Sequence, residues 1–179
     1  GRALYCGVSL GGMVGMWLAS HAPDRIAGLG LSCTSACMPP AGGWIQRAAA
    51  VRSAGTGSIA GQVVSRWFTP AYQQAQPAVP AAFVAGLAAT ADEGYAGCCE
   101  AIAALDLRPA LASITAPTLV IAGAEDPAAP PWHGAAIASA VPGARLRVVR
   151  RAAHLANVSN AAEVAALLVP HLLAAAGPA

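Results

Sequence analysis

Ala3-Leu4-Tyr5-Cys6-Gly7-Val8-Ser9-Leu10-Gly11-Gly12 is the stretch whose reading decides the fold of this chain. Ala3 to Gly7 reads as a short strand, apolar on both faces. Leu10 to His21 reads as a helix, stopped by Pro23 and Asp24 because proline cannot continue the hydrogen-bond ladder. Between them, Gly7-Val8-Ser9-Leu10-Gly11 sets a serine on a strand-to-helix turn so tight that side chains at the flanking positions would collide. Such a turn lifts the hydroxyl of Ser9 clear of the sheet, and the helix N-terminus points partial positive charge at it. The backbone N–H of Leu10 then becomes a candidate donor to a developing oxyanion. The plainer alternative is a Gly-rich turn carrying an idle serine, and the residues further along the chain decide between the two.

Ile26 to Cys33 is a short buried run, so strand, helix and strand follow at the spacing of a parallel pair with a crossover helix. From Met38 to Ser113 the character changes. Helical periodicity runs through Gln46 to Val64, Ala81 to Ala91 and Tyr95 to Leu105, with no convincing strand. The α/β rhythm then returns in a buried strand over Thr118 to Gly123, a helix over His133 to Val141, a strand over Ala144 to Arg150 and a last helix over Ala161 to Ala175. Pro170 should kink or shorten that helix.

The partners a serine nucleophile needs stand in the required order. Asp126 follows the Thr118–Gly123 strand and His154 follows the Ala144–Arg150 strand, each at the carboxyl end of a strand where open α/β sheets place their sites. Either residue alone is as well read as a turn or loop former, but both in these positions make coincidence a poor account. The fold class is therefore α/β: the C-terminal part of an α/β-hydrolase fold, parallel strands with flanking helices and an all-helical lid insertion. Residues 1–37 form the elbow part of the core, 38–113 the lid and 114–179 the C-terminal part of the core. Such a fold normally has several strands before the elbow, including the loop that supplies a second oxyanion donor. The expectation is that the chain is N-terminally incomplete, and weakly folded or weakly active alone.

Composition narrows the classes. At 179 residues with 56% hydrophobic and 10% charged residues, the chain can bury a substantial core, and the composition argues against disorder. Every candidate apolar run is broken before the length of a membrane span, and the first residues lack a signal peptide's apolar region. Net charge is +2, and the ten basic residues, all arginine, are scattered, so no nucleic-acid stripe forms. Five cysteines without regular spacing, Cys6, Cys33, Cys37, Cys98 and Cys99, read as reduced thiols in a cytoplasmic protein rather than as a metal site.

Other residues compete for roles. Glu125 adjoins Asp126, but the acid that precedes Pro127 better matches the usual placement. His21 closes a helix, where a cation suits the dipole. His133 and His171 are poor candidates for the base, and Trp44, Trp67, Phe68 and Trp132 either wall a site or fill core.

The elbow, the segments Arg66-Trp67-Phe68-Thr69-Pro70-Ala71-Tyr72 and Tyr95 to Arg108, and the stretches Pro117 to Pro127 and Ala152 to Val158 together resemble the 3-oxoadipate enol-lactonases over almost the whole chain. Elbow and triad are common to the superfamily, and the lid segments point to this family. The resemblance implies a cofactor-free, metal-free hydrolase of the β-ketoadipate pathway whose partner is a small-molecule enol-lactone, with no nucleic acid or membrane partner and an oligomeric state left open. It also implies a cation for the substrate carboxylate. Arg66, with Trp67 beside it, is the candidate; a solvent-facing lid arginine is the competing reading. The alternatives are another carboxylesterase, lactonase or perhydrolase-like enzyme on this fold, or a non-catalytic α/β-hydrolase-like scaffold.

Overall fold

A computed structural model describes residues 1–176. Four strands, β1 (Ala3–Val8), β2 (Ile26–Ser32), β3 (Thr118–Gly123) and β4 (Arg145–Val149), form one parallel sheet in the order β1-β2-β3-β4. The chain divides into two compact units. One, residues 1–36 and 107–179, holds the sheet; the other, residues 37–106, is the segment between β2 and β3. Residues 107–113, read above as part of the insertion, belong with the sheet unit. The Leu107 N–H donates to the Ala36 carbonyl, and Leu111 and Ile114 are buried.

All six residues of β3 are buried, as expected for a parallel strand covered on both faces, whereas β1 is largely exposed. Alternation along β2 sorts the covering helices. Leu29 faces helix α1 (Leu10–His21), where a Cβ on Gly15 would meet Tyr5 and Leu29 side chains at 2.7 and 3.1 Å. Gly30 points the other way, toward the last helix, with Leu168 already 2.4 Å from where its Cβ would stand. On that second face Cys33, Leu119, Ile121, Val149, Ala152, Ala156 and Val164 form one core, with Leu167 and Leu168 against it.

That last helix runs unbroken through Pro170, from Ala161 to Ala176, with buried Val164 and His171 either side of the proline. The expected shortening is corrected by packing. Pro170 is itself exposed, so the carbonyl it leaves unpaired faces water, while the turns before and after it are fixed on the sheet. His171 Nε2 donates to the Leu29 carbonyl at 3.1 Å, which gives this histidine a structural role in the core.

The second unit is helical: α2 (Ala41–Ala54), α3 (Gly57–Val64), α4 (Pro70–Ala75), α5 (Ala78–Ala88) and α6 (Asp92–Ala104). The helix expected over Gln46 to Val64 is two helices. Gly55 separates them with φ +79°, a conformation that side chains disfavour. The short α4 went unread, although Thr69-Pro70 announces it: the Thr69 side chain accepts from Tyr72 N–H and Pro70 opens the first turn. Helices α2 and α6 pack through Ala48, Ala96 and Cys99, with Trp44 and Tyr95 at the margin. No helix among the described residues is long and apolar enough to cross a membrane.

Candidate active site

Ser9 is held at φ 54°, ψ −118°, in the left-handed half of backbone space that an L-residue rarely occupies. Three contacts impose this. The Ser9 N–H donates to the Ser32 carbonyl at 2.9 Å, Thr34 Oγ1 donates to the Ser9 carbonyl at 2.6 Å, and the Tyr5 hydroxyl donates to the Gly11 carbonyl at 2.9 Å. Gly7 shows how tight the turn is, since a Cβ there would lie 2.3 Å from the Gly11 backbone. Ser9 occupies the N-cap position of α1, yet its side chain makes no capping bond. A serine at that position ordinarily caps, so the hydroxyl is not consumed by the helix. Leu10, the first residue of α1, contributes one of the N-terminal amides that lack an intrahelical acceptor.

Asp126 and His154 are brought together. His154 Nδ1 lies 2.8 Å from Asp126 Oδ2, and both residues are buried, 6% and 3% exposed. The other carboxylate oxygen, Oδ1, accepts from the backbone N–H groups of Ala128 and Ala129 at 2.8 and 3.0 Å. Three donors thus surround a buried carboxylate that would otherwise be costly to desolvate. An ionised carboxylate only accepts, so Nδ1 carries the ring proton and Nε2 is left as the acceptor. Glu125, the competing acid, is exposed.

These groups stand at the carboxyl ends of β1, β3 and β4, linked through the end of β2 by contacts within the sheet unit. Ser9 bonds to Ser32, the Cys33 N–H donates to Ile121 O at 2.8 Å, and the Glu125 N–H donates to Ala152 O at 2.9 Å. Cys33 also places its thiol 3.7 Å from the Ala153 carbonyl, one residue before His154. Burial, reinforced by the negative charge of Asp126, pushes the Cys33 thiol up, so it stays a protonated donor. Strain gathers at this edge: Ser9, Cys33 and Arg151, the non-glycine residues with positive φ among the described residues, follow β1, β2 and β4.

The loop that leads into His154 packs closely against Gly123. A Cβ on Gly123 would lie 2.3 Å from Ala153 O and 2.7 Å from Ala152 O, both backbone atoms that cannot swing away. Gly123→Ala is expected to cost at least about 3 kcal/mol, an overpacking penalty at the top of its usual range. That lowers the melting temperature by about 6–12 °C for a chain of this size. A melting temperature within 2 °C or so of wild type would show that the His154 loop is free to move.

One pair went unread in the sequence. Ser35 Oγ and His133 Nδ1 are 2.7 Å apart, both residues are buried, and Trp132 stacks on the His133 ring at 3.5 Å. Burial pushes His133 down, against the opposing pull of Asp126. No motif could have paired residues 98 positions apart. Trp132 is 62% exposed, and His21 stacks on Trp17 at the exposed end of α1. Arg66 and Trp67 lie in the helical unit. There the ring of Trp67 meets Phe83 edge-on at 6.0 Å, and the Arg66 Nε is buried with no hydrogen-bond partner among the described residues.

Known proteins share this arrangement of elements. A model of the alpha/beta hydrolase family matches residues 1–167. The 3-oxoadipate enol-lactonase 2 of Acinetobacter baylyi is 40% identical over 159 residues, which make up 89% of this chain and 59% of that enzyme. The crystal structure of the enol-lactonase from Burkholderia xenovorans LB400 superposes with a TM-score of 0.93 at 39% identity, covering 96% of this chain and 66% of that one. A thermophilic esterase from Thermogutta terrifontis, solved with malate bound, gives a TM-score of 0.91 at 28% identity, covering 98% of this chain and 66% of that one. The chain therefore spans about three fifths of the length of the curated enol-lactonase it matches.

Proposed function

This chain belongs to the alpha/beta hydrolase family, and from that premise we propose that it serves as a serine hydrolase opening 3-oxoadipate enol-lactone to 3-oxoadipate in the β-ketoadipate pathway of aromatic catabolism. The observation that carries the reading is the buried His154–Asp126 pair, standing at the same end of the sheet as the strained, uncapped Ser9.

The chemistry runs in two halves. Ser9 Oγ attacks the lactone carbonyl carbon while His154 Nε2 accepts the hydroxyl proton, and Asp126 stabilises the imidazolium through Nδ1–H. The Leu10 N–H donates to the oxyanion. Collapse breaks the ring C–O bond, the departing enol oxygen takes the proton back from His154, and the ring-opened acyl group remains on Ser9. Water, deprotonated by His154, attacks the ester carbon, releases the acid and returns the proton to Ser9. The enol tautomerises to the ketone. No group beyond these side chains and water is needed, and five cysteines outside any disulfide suit a reducing compartment such as the cytoplasm.

Three observations favour a carboxylated substrate: the unpartnered Nε of Arg66, the likeness to two enol-lactonases, and the malate bound to the related esterase. The test follows ultraviolet loss of the enol-lactone beside hydrolysis of a neutral activated ester. Lactone turnover exceeding ester turnover is the expected result. An intact lactone with Ser9-dependent ester cleavage would move the assignment to a carboxylesterase.

A further inference from the structure

The nucleophile and the acid are each held by a short segment, and the two segments meet. Residues 32–34 hold Ser9: the Ser32 carbonyl accepts the Ser9 N–H, and Thr34 Oγ1 donates to the Ser9 carbonyl. Thr34 is pressed close, since a Cβ on Gly12 would lie 2.7 Å from its side chain. Ala128 and Ala129 hold the acid, through their N–H groups on Asp126 Oδ1. That turn runs into helix α7 (Pro131–Ala140), where the His133 N–H donates back to the Pro130 carbonyl at 2.9 Å. Helix α7 lies tight on the sheet. A Cβ on Gly134 would stand 3.1 Å from Leu146, 3.3 Å from Val120 and 3.5 Å from Ala122.

The paired register of β2 with β3 ends at Ser32 and Ile121. Beyond it, Ser35 Oγ stands 2.7 Å from His133 Nδ1. Ser35 follows Thr34 directly, and His133 is in the first turn of α7, so this bond joins the segment holding the nucleophile to the turn holding the acid. The bond is shielded from water. Ser35 is 2% and His133 8% exposed, and the Trp132 ring lies over the imidazole. Burial pushes His133 down, so at neutral pH the ring is uncharged, with one nitrogen to donate and one to accept. Parting the two side chains would strand a buried ring nitrogen, so the bond resists stretching. A buried serine–histidine bond elsewhere would add stability alone; here each partner adjoins residues that touch the triad.

We propose that Ser35 and His133 are positioning residues of the hydrolytic site, a strut that sets the nucleophile turn against the acid turn. The assignment rests on the reading of this chain as a serine hydrolase that uses Ser9, Asp126 and His154. Neither Ser35 nor His133 gives or takes a bond in the reaction; both act through Ser9 and Asp126. Proton transfer from Ser9 to His154 needs the two turns in register, and a misplacement of about 1 Å can cost about 100-fold in rate.

The test measures the second-order rate of fluorophosphonate labelling of the whole chain, with kcat and KM for a neutral activated ester beside it. Ser35→Ala and His133→Phe should each slow labelling and lower kcat at least about 10-fold, with KM kept within about twofold. The phenylalanine variant keeps a ring beneath Trp132 and loses the nitrogens. His133→Asn puts an amide where Nδ1 stands and should recover labelling to within about threefold of wild type. The double variant Ser35→Ala/His133→Phe should be within about twofold of the slower single, because both substitutions remove the same bond. Melting curves fix an assay temperature at which every variant is folded. Should the phenylalanine variant fail to fold, Ser35→Ala carries the test, since it removes one oxygen and adds nothing.

Single variants that label at the wild-type rate, with or without a lowered melting temperature, would overturn the positioning role. So would losses that multiply in the double variant, or an asparagine variant as slow as the phenylalanine one. The same labelling tests the reading beneath. A wild-type chain that is not labelled, or labelling that survives Ser9→Ala, removes the serine-hydrolase reading and the strut together. Ser9-dependent labelling at full rate in both single variants leaves that reading standing and removes the strut alone.

Discussion

Replacing Ser9 by alanine is expected to lower kcat for lactone or activated ester by about 10⁴-fold or more, because the acyl-enzyme route loses its nucleophile and only oxyanion and binding terms remain. Fluorophosphonate labelling of the protein should vanish in the same variant. The local geometry supplies a control for folding. Position 9 is held at φ 54°, so alanine keeps the backbone strain, whereas Ser9→Gly relieves it. Both variants should be inactive, and the glycine variant should be the more stable by about 1 kcal/mol. Residual turnover above about one per cent of wild type in both variants would remove Ser9 from the chemistry.

Asp126→Asn is expected to cost about 10⁴-fold in kcat while leaving the fold intact. The reason lies in how the carboxylate is held. Oδ1 receives the N–H groups of Ala128 and Ala129, so the asparagine carbonyl must take that place and its NH₂ must take the place of Oδ2. That NH₂ then faces His154 Nδ1, which sits 2.8 Å away, and forces Nδ1 to accept. The proton moves to Nε2, and the imidazole can no longer take one from serine. Steady-state kinetics with a melting curve check this. A loss below about tenfold with an unchanged melting temperature would mean that Asp126 does not set the tautomer.

Much of the sheet unit was legible because its signals are local. Gly7 marks a turn that a side chain would block, although a side chain at Gly11 would meet open space and not the collision expected there, and the apolar run Thr118–Gly123 marks a strand covered on both faces. Asp126 and His154 could be placed because each follows a strand whose end is readable. The helical unit was harder. Ala-rich stretches satisfy several helical phases at once, so the break at Gly55 and the short helix at Pro70–Ala75 blurred into their surroundings. Pro170 shows the opposite failure. Its local rule is sound, but packing of Val164 and His171 on the sheet outweighs it.

The sequence by itself determined the order of the strands, the serine turn after β1 and the strand ends that carry an acid and a histidine, because each depends on residues a few positions apart. Tertiary structure alone decided which atoms meet. The hydrogen bond between His154 and Asp126, the Ser35–His133 pair across 98 positions, and the thiol of Cys33 against the Ala153 carbonyl all arise between elements far apart in the chain. Hydrogen bonds and charge act over a few ångströms of space, and only the packed sheet and helices bring those distances about.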